Sequence, residues 1–114
     1  MSESQIELNN NRKKQLGNLL NAMPDLASMI GVQTNETYKD GAIDSKTKRL
    51  MAMVVALGAG CRNCILSQAE YALDLGATKE DFLETIAVVA SMRGTTGVAE
   101  SLRVIQFLDE QGKL

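Results

Sequence analysis

Leu50-Met51-Ala52-Met53-Val54-Val55-Ala56-Leu57-Gly58-Ala59-Gly60-Cys61-Arg62-Asn63-Cys64 is the stretch on which the fold turns. Apolar residues run unbroken from Leu50 to Leu57, glycines interrupt them at 58 and 60, and a C-x-x-C pair follows. The pair opens an amphipathic segment that runs to Gly76. This pattern predicts two helices separated by a glycine break, with the pair on the first turn of the second. Residues three apart share a helix face, so the thiols can approach each other. Backbone N–H groups and the partial positive charge at a helix start favour a thiolate, the reactive form of cysteine. Cys61 and Cys64 are the chain's only two cysteines. Geometry and electrostatics both point to a redox pair. The competing reading is two small, buried, inert residues, since free cysteine is among the most buried residue types.

Working outward, Asp44 or Ser45 caps the helix that ends near Ala59. That helix opens on charged residues, Lys46-Thr47-Lys48-Arg49, and continues apolar all round. Such a helix has to be covered on every side. A small helical monomer has few elements to do so, and a homo-oligomer is expected; a central helix in a monomeric bundle is the alternative. Beyond Gly76, Thr78 and Asp81 resemble a capping box with Asp in place of Glu. A helix from Lys79 to Met92 turns Phe82, Leu83, Ile86, Val89 and Ala90 inward. Arg93 to Gly97 reads as a loop, and Val98 to about Glu110 as a last helix with Leu102, Ile105 and Leu108 on one face. Toward the N-terminus, Gln5 to Met23 is a first helix whose apolar residues are Ile6, Leu8, Leu16, Leu19 and Leu20. Pro24 suits the first turn of a new element, Asp25 to about Ile30 or a little beyond. Gly31 to Gly41 is polar, with Gly41 at a turn. Strand-type alternation is missing, so the expected class is all-α, one domain over residues 1–114.

Composition narrows the chemistry. The formal net charge is −2, which gives no basic surplus for nucleic acid or an anionic membrane. The first residues lack the basic and apolar regions of a signal peptide, and Leu50 to Ala59 is too short to span a bilayer. A cytoplasmic, reducing setting is expected. Histidine is absent, which removes a His triad, a His-ligated metal or an imidazole proton shuttle from within this chain. Two cysteines do not complete a four-thiolate zinc site unless a partner chain supplies the other two. No metal or cofactor is expected.

Two further residues stand near the pair in helical register. Gln68 lies four residues after Cys64, on the same face and among apolar neighbours. Its amide orients a thiol, a water or a substrate oxygen, or else bonds backbone; it cannot shuttle protons. Arg49 lies twelve residues before Cys61, on a stripe with Ala52, Met53, Ala56 and Gly60. It either lowers a thiol pKa or binds an anionic group, or else continues the solvated charges of Lys46 and Lys48, and the sequence leans to the last. Met51, Met53 and Met92 read as core or interface filler. Glu36, Glu70, Glu84 and Glu100 are candidate proton acceptors, and nothing in the sequence selects among them.

Three segments together carry a resemblance. Gly41-Ala-Ile-Asp-Ser-Lys-Thr-Lys-Arg-Leu50 leads into the apolar helix and Cys61-Arg-Asn-Cys64, and Leu-Gly-Ala-Thr-Lys-Glu-Asp closes at Asp81. The chain resembles the carboxymuconolactone decarboxylase family, and within it the AhpD-like alkylhydroperoxidase branch, from about Ala22 to Leu108. The resemblance implies an all-helical subunit that assembles into trimers or hexamers, with active sites near subunit contacts. It implies a dithiol that reduces a peroxide or exchanges with a protein disulfide, with Cys64 attacking and Cys61 resolving; the helix-start argument equally allows Cys61 to attack. The branch's motif has a glutamate at the position of Arg49 and a histidine at that of Gln68. Those two groups relay protons, and neither residue here does. Disulfide exchange needs such a relay less than peroxide reduction does. A non-catalytic binding or assembly protein on the same fold is the alternative, and lactone decarboxylation ranks low without a histidine.

Overall fold

The computed structural model describes residues 3–114, and these form six helices with no strand among them. They are α1 (Gln5–Ala22), α2 (Pro24–Tyr38), α3 (Ser45–Ala59), α4 (Arg62–Asp74), α5 (Lys79–Arg93) and α6 (Thr95–Glu110). The expected all-α class holds. None of the helices is long and apolar enough to cross a membrane, among the described residues.

The helix starts follow local chemistry. Asp44 caps α3 by accepting the Thr47 N–H. Thr78 and Asp81 form the expected reciprocal capping box on α5. The Thr78 N–H and the Lys46 ammonium, 3.2 Å away, hold the Asp81 carboxyl below its ordinary pKa. That ion pair also ties the start of α3 to the start of α5. Ser4 caps α1 and donates to Glu110 of α6 at 2.6 Å. Glu110 also accepts the Gln5 N–H at 2.8 Å.

The core lies where α3, α4, α5 and α6 meet. Met53 and Leu57 of α3 pack there with Ile65, Leu66, Ala69 and Ala72 of α4, Phe82 and Val89 of α5, and Val104, Phe107 and Leu108 of α6. Each fully buried large aliphatic contributes about 1.5–3 kcal/mol before the entropy of ordering is set against it.

Several expectations are corrected. α2 does not end near Ile30; it continues through the polar run to Tyr38. That run is the solvated side of a surface helix, so its polarity is no sign of a loop. The loop over Arg93 to Gly97 shrinks to Gly94, whose φ of 67° separates α5 from α6. Gly97 lies inside α6 and is there for space: a Cβ on it would stand 2.9 Å from Arg93 Cβ and 3.0 Å from the Val89 carbonyl. The inward face of α6 is Gly97, Ser101, Val104 and Leu108, with Phe107 beside it, and Leu102 is exposed. Leu16 and Leu19 of α1 and Leu83 of α5 are exposed as well. Only the start of α1, through Ile6 and Leu8, packs against the core. Within the chain, α3 is covered on one side only: Val55 is 72% exposed and Met51 49%.

Gly97→Ala drives a methyl group into the backbone of α5. It is expected to cost about 1–3 kcal/mol, read as a lowered midpoint in thermal or urea unfolding.

Candidate functional site

The end of α3 builds the site. Gly60 adopts a left-handed φ of 71°, a conformation that suits glycine, and terminates the helix. The N–H groups of Gly60 and Cys61 both return to the Ala56 carbonyl. Arg93 of α5 donates to the Leu57 carbonyl at 2.8 Å and satisfies another group at this helix end. The chain then reverses at once into α4, with Cys61 as its N-cap residue. The Cys61 Sγ accepts the Cys64 N–H at 3.3 Å, the role a serine or aspartate oxygen plays at other helix starts.

Cys61 and Cys64 are joined as a disulfide, with Cα atoms 5.2 Å apart. Cys64 is exposed and Cys61 half-buried. The expectation of burial in the competing reading is therefore corrected at Cys64, which is exposed. Glu100 of α6 lies beside this turn, with its Oε1 3.4 Å from where a Cβ on Gly60 would stand. The other acids are placed elsewhere. Glu70 accepts Asn9 and Lys13 and anchors α1 on α4, Glu36 pairs with Lys39, and Glu84 is exposed.

Gln68 is one helical turn beyond Cys64 and half-buried. Its Oε1 accepts a hydrogen bond from Arg49 Nη1 at 3.1 Å. Arg49 corrects the expectation of a solvated charge, being 7% exposed. Its guanidinium sits between two tyrosine rings, 3.4 Å from the centroid of Tyr38 and 3.9 Å from that of Tyr71. Its Nε is buried with no hydrogen-bond partner. Each ring contributes about 0.5–2 kcal/mol to holding a cation. Burial of an uncompensated charge costs several kcal/mol, so the rings offset only part of that. The structure thus joins Gln68 of α4 to Arg49 of α3 and places no proton-transferring group at either position.

Tyr38 and Tyr71 are functional candidates that the sequence reading passed over. Tyr71 follows Gln68 by three residues, a helical spacing that puts the two on one face. Tyr38 had no comparable signal, because its helix was read as ending near Ile30.

Comparison with known proteins agrees with this architecture. The model of the carboxymuconolactone decarboxylase family matches residues 26–107. An uncharacterized protein from the cox locus of Paracoccus denitrificans is 38% identical over 73 residues, 64% of this chain and 66% of that one, so the match spans just under two thirds of that relative. An uncharacterized protein of Cupriavidus necator is 28% identical over 96 residues, 84% of this chain and 85% of that one. The crystal structure of a carboxymuconolactone decarboxylase family protein from Legionella pneumophila superposes with a TM-score of 0.87 at 28% identity, over 96% of this chain and 97% of that one. With the family model spanning most of its length and the whole helical fold shared, this chain belongs to the carboxymuconolactone decarboxylase family.

Proposed function

We propose that the protein is a thiol–disulfide oxidoreductase of the AhpD-like kind, working through Cys61 and Cys64. The observation that carries this reading is the bonded pair at the start of α4, with Cys64 exposed and Cys61 at the N-cap. In the reduced protein the exposed Cys64 thiolate attacks a substrate disulfide. A mixed disulfide forms on Cys64 and one substrate thiolate leaves. Cys61 then attacks the Cys64 sulfur, the Cys61–Cys64 bond forms, and the second substrate thiolate leaves. Two electrons pass to the substrate, and the protons of the two thiols end on the released substrate thiols. External thiols reverse the sequence, a route that suits a reducing compartment and calls for no bound cofactor. The Cys64 N–H directed at Cys61 Sγ stabilises a thiolate there, and a stabilised thiolate is also the better leaving group on the return path.

Peroxide reduction by the same pair is expected to be slow. Breaking an O–O bond releases an alkoxide or hydroxide that needs a proton, and the Arg49–Gln68 pair supplies none. General acid–base help is worth about a hundredfold or more.

Cys64→Ser is expected to lower the rate of reduction of a model disulfide by at least about a hundredfold. Cys61→Ser is expected to accumulate the mixed disulfide on Cys64, visible by mass spectrometry. Unchanged disulfide reduction in Cys64→Ser contradicts the proposal.

The uncovered face of α3 supports a homo-oligomer. Met51, Val54 and Val55 of α3 and Val88 of α5 line an apolar groove of about 470 Å³, and a second copy of the chain is the occupant we propose. Light scattering at micromolar concentration is expected to give a trimer or a hexamer. A monomer contradicts it.

A further inference from the structure

Of the four glutamates that the sequence left open, one stands at the cysteine turn. Glu70 and Glu36 are held in ion pairs, and Glu84 is exposed on α5. Glu100 reaches from α6 to the end of α3, with Oε1 3.4 Å and Cδ 3.9 Å from where a Cβ on Gly60 would stand. That puts the carboxylate within about 5 Å of the Gly60 Cα and within about 9 Å of the Cα of Cys61, the next residue. Glu100 is half-buried and makes none of the ion pairs among the described residues. The two N–H groups of the turn go to the Ala56 carbonyl instead.

The other charges around the turn are engaged elsewhere. Arg62 of α4 pairs with Glu3 at 3.3 Å. Arg93 of α5 donates to the Leu57 carbonyl and Arg103 of α6 to Gln5 at 2.7 Å, and neither pairs with Glu100. The last turn of α3, Leu57 to Gly60, has no titratable group.

A carboxylate so placed acts on the cysteine pair through its charge. The disulfide is neutral, whereas the reduced pair has to ionise a thiol to react. A negative charge nearby therefore disfavours the ionised, reduced pair and leaves the oxidised pair untouched. The Cys64 N–H directed at Cys61 Sγ acts in the opposite sense. Strongly oxidising dithiols owe their potential to a stabilised reduced form, and Glu100 works against that stabilisation.

We infer that Glu100 biases the pair toward giving up electrons by withholding the thiolate from Cys61. The inference deepens the proposed exchange role and rests on it for its consequence. Its test involves no turnover, so the two readings fail separately.

In Cys64→Ser, the ultraviolet absorbance of the Cys61 thiolate is followed against pH at low salt. Adding Glu100→Gln is expected to raise the thiolate fraction below the midpoint by about twofold to tenfold. Glu100→Asp keeps the charge and is expected to stay close to the parent. The difference between the Glu and Gln proteins is expected to shrink in about 1 M salt, where the screening length is about 3 Å. A merely structural role of Glu100 gives a shift that ignores salt and that aspartate does not rescue. The inference is overturned by an unchanged or lower thiolate fraction in Glu100→Gln, by Glu100→Asp behaving as Glu100→Gln does, or by a shift indifferent to salt. Should Cys64→Ser fail to fold, the alkylation rate of Cys61 in the reduced native pair, resolved by peptide mass, decides by the same outcomes. If Cys61 responds to Glu100 as expected while the native pair exchanges with no model disulfide, the exchange role fails and the action of Glu100 on the thiol stands.

Discussion

The left-handed turn at Gly60 is the constraint on which the site depends. It ends α3, returns two N–H groups to a single carbonyl, and restarts the chain as α4 with no intervening loop. Cys61 thereby becomes the N-cap residue of α4, where its sulfur is directed at a backbone N–H. A longer connection would leave the cysteines on a mobile segment, without the fixed N–H that favours a thiolate. A side chain at residue 60 would be strained at this φ and would also meet the Glu100 carboxylate. The buried faces of α3 and α4, Met53 and Leu57 against Ile65 and Ala69, hold the turn in place from beneath.

Arg49 is the second organising feature, and it works against stability. A guanidinium removed from water without a counter-charge is unfavourable. Two aromatic faces and one amide soften that penalty and leave the charge unneutralised. A fold selected for stability alone would put an apolar residue of similar volume there. The strip of α4 that carries Cys64, Gln68 and Tyr71 at helical spacing links the disulfide to this charge through one hydrogen bond. An Arg–Gln pair at that position moves no protons, and so it shifts the chemistry expected of the dithiol from peroxides toward disulfides.

The helices with strong local signals were legible in the sequence. The Thr78–Asp81 capping box, the Asp44 cap and the glycine break at Gly60 each act through chemistry within four residues, and each stands where its residues place it. What failed was burial read from periodicity alone. Leu102 and Leu83 fit an apolar stripe yet face outward, while Asn9 and Ser101, both polar, are buried with hydrogen bonds to Glu70 and to the Gly97 carbonyl. Tertiary partners decide such positions. Gly97 ends a glycine-containing run that reads as a loop, but it is the close approach of α5 to α6 that demands glycine there. The C-x-x-C pair was legible as a pair at a helix start, and it stands at the start of α4. The burial of Arg49 was not, because its partners Tyr38 and Tyr71 come from helices that meet it only in the folded chain.

Equilibration of the native protein in glutathione and dithiothreitol redox buffers, quenched by alkylation and read by mass, tests the central claim most directly. A working thiol–disulfide exchanger has to give up and regain two electrons without unfolding. The account predicts a reversible transition of the Cys61–Cys64 pair between roughly −180 and −270 mV, the range of known exchangers, with helix content unchanged across it. A pair that stays oxidised below about −300 mV, where structural disulfides lie, or that reduces only as the helices melt, would contradict it.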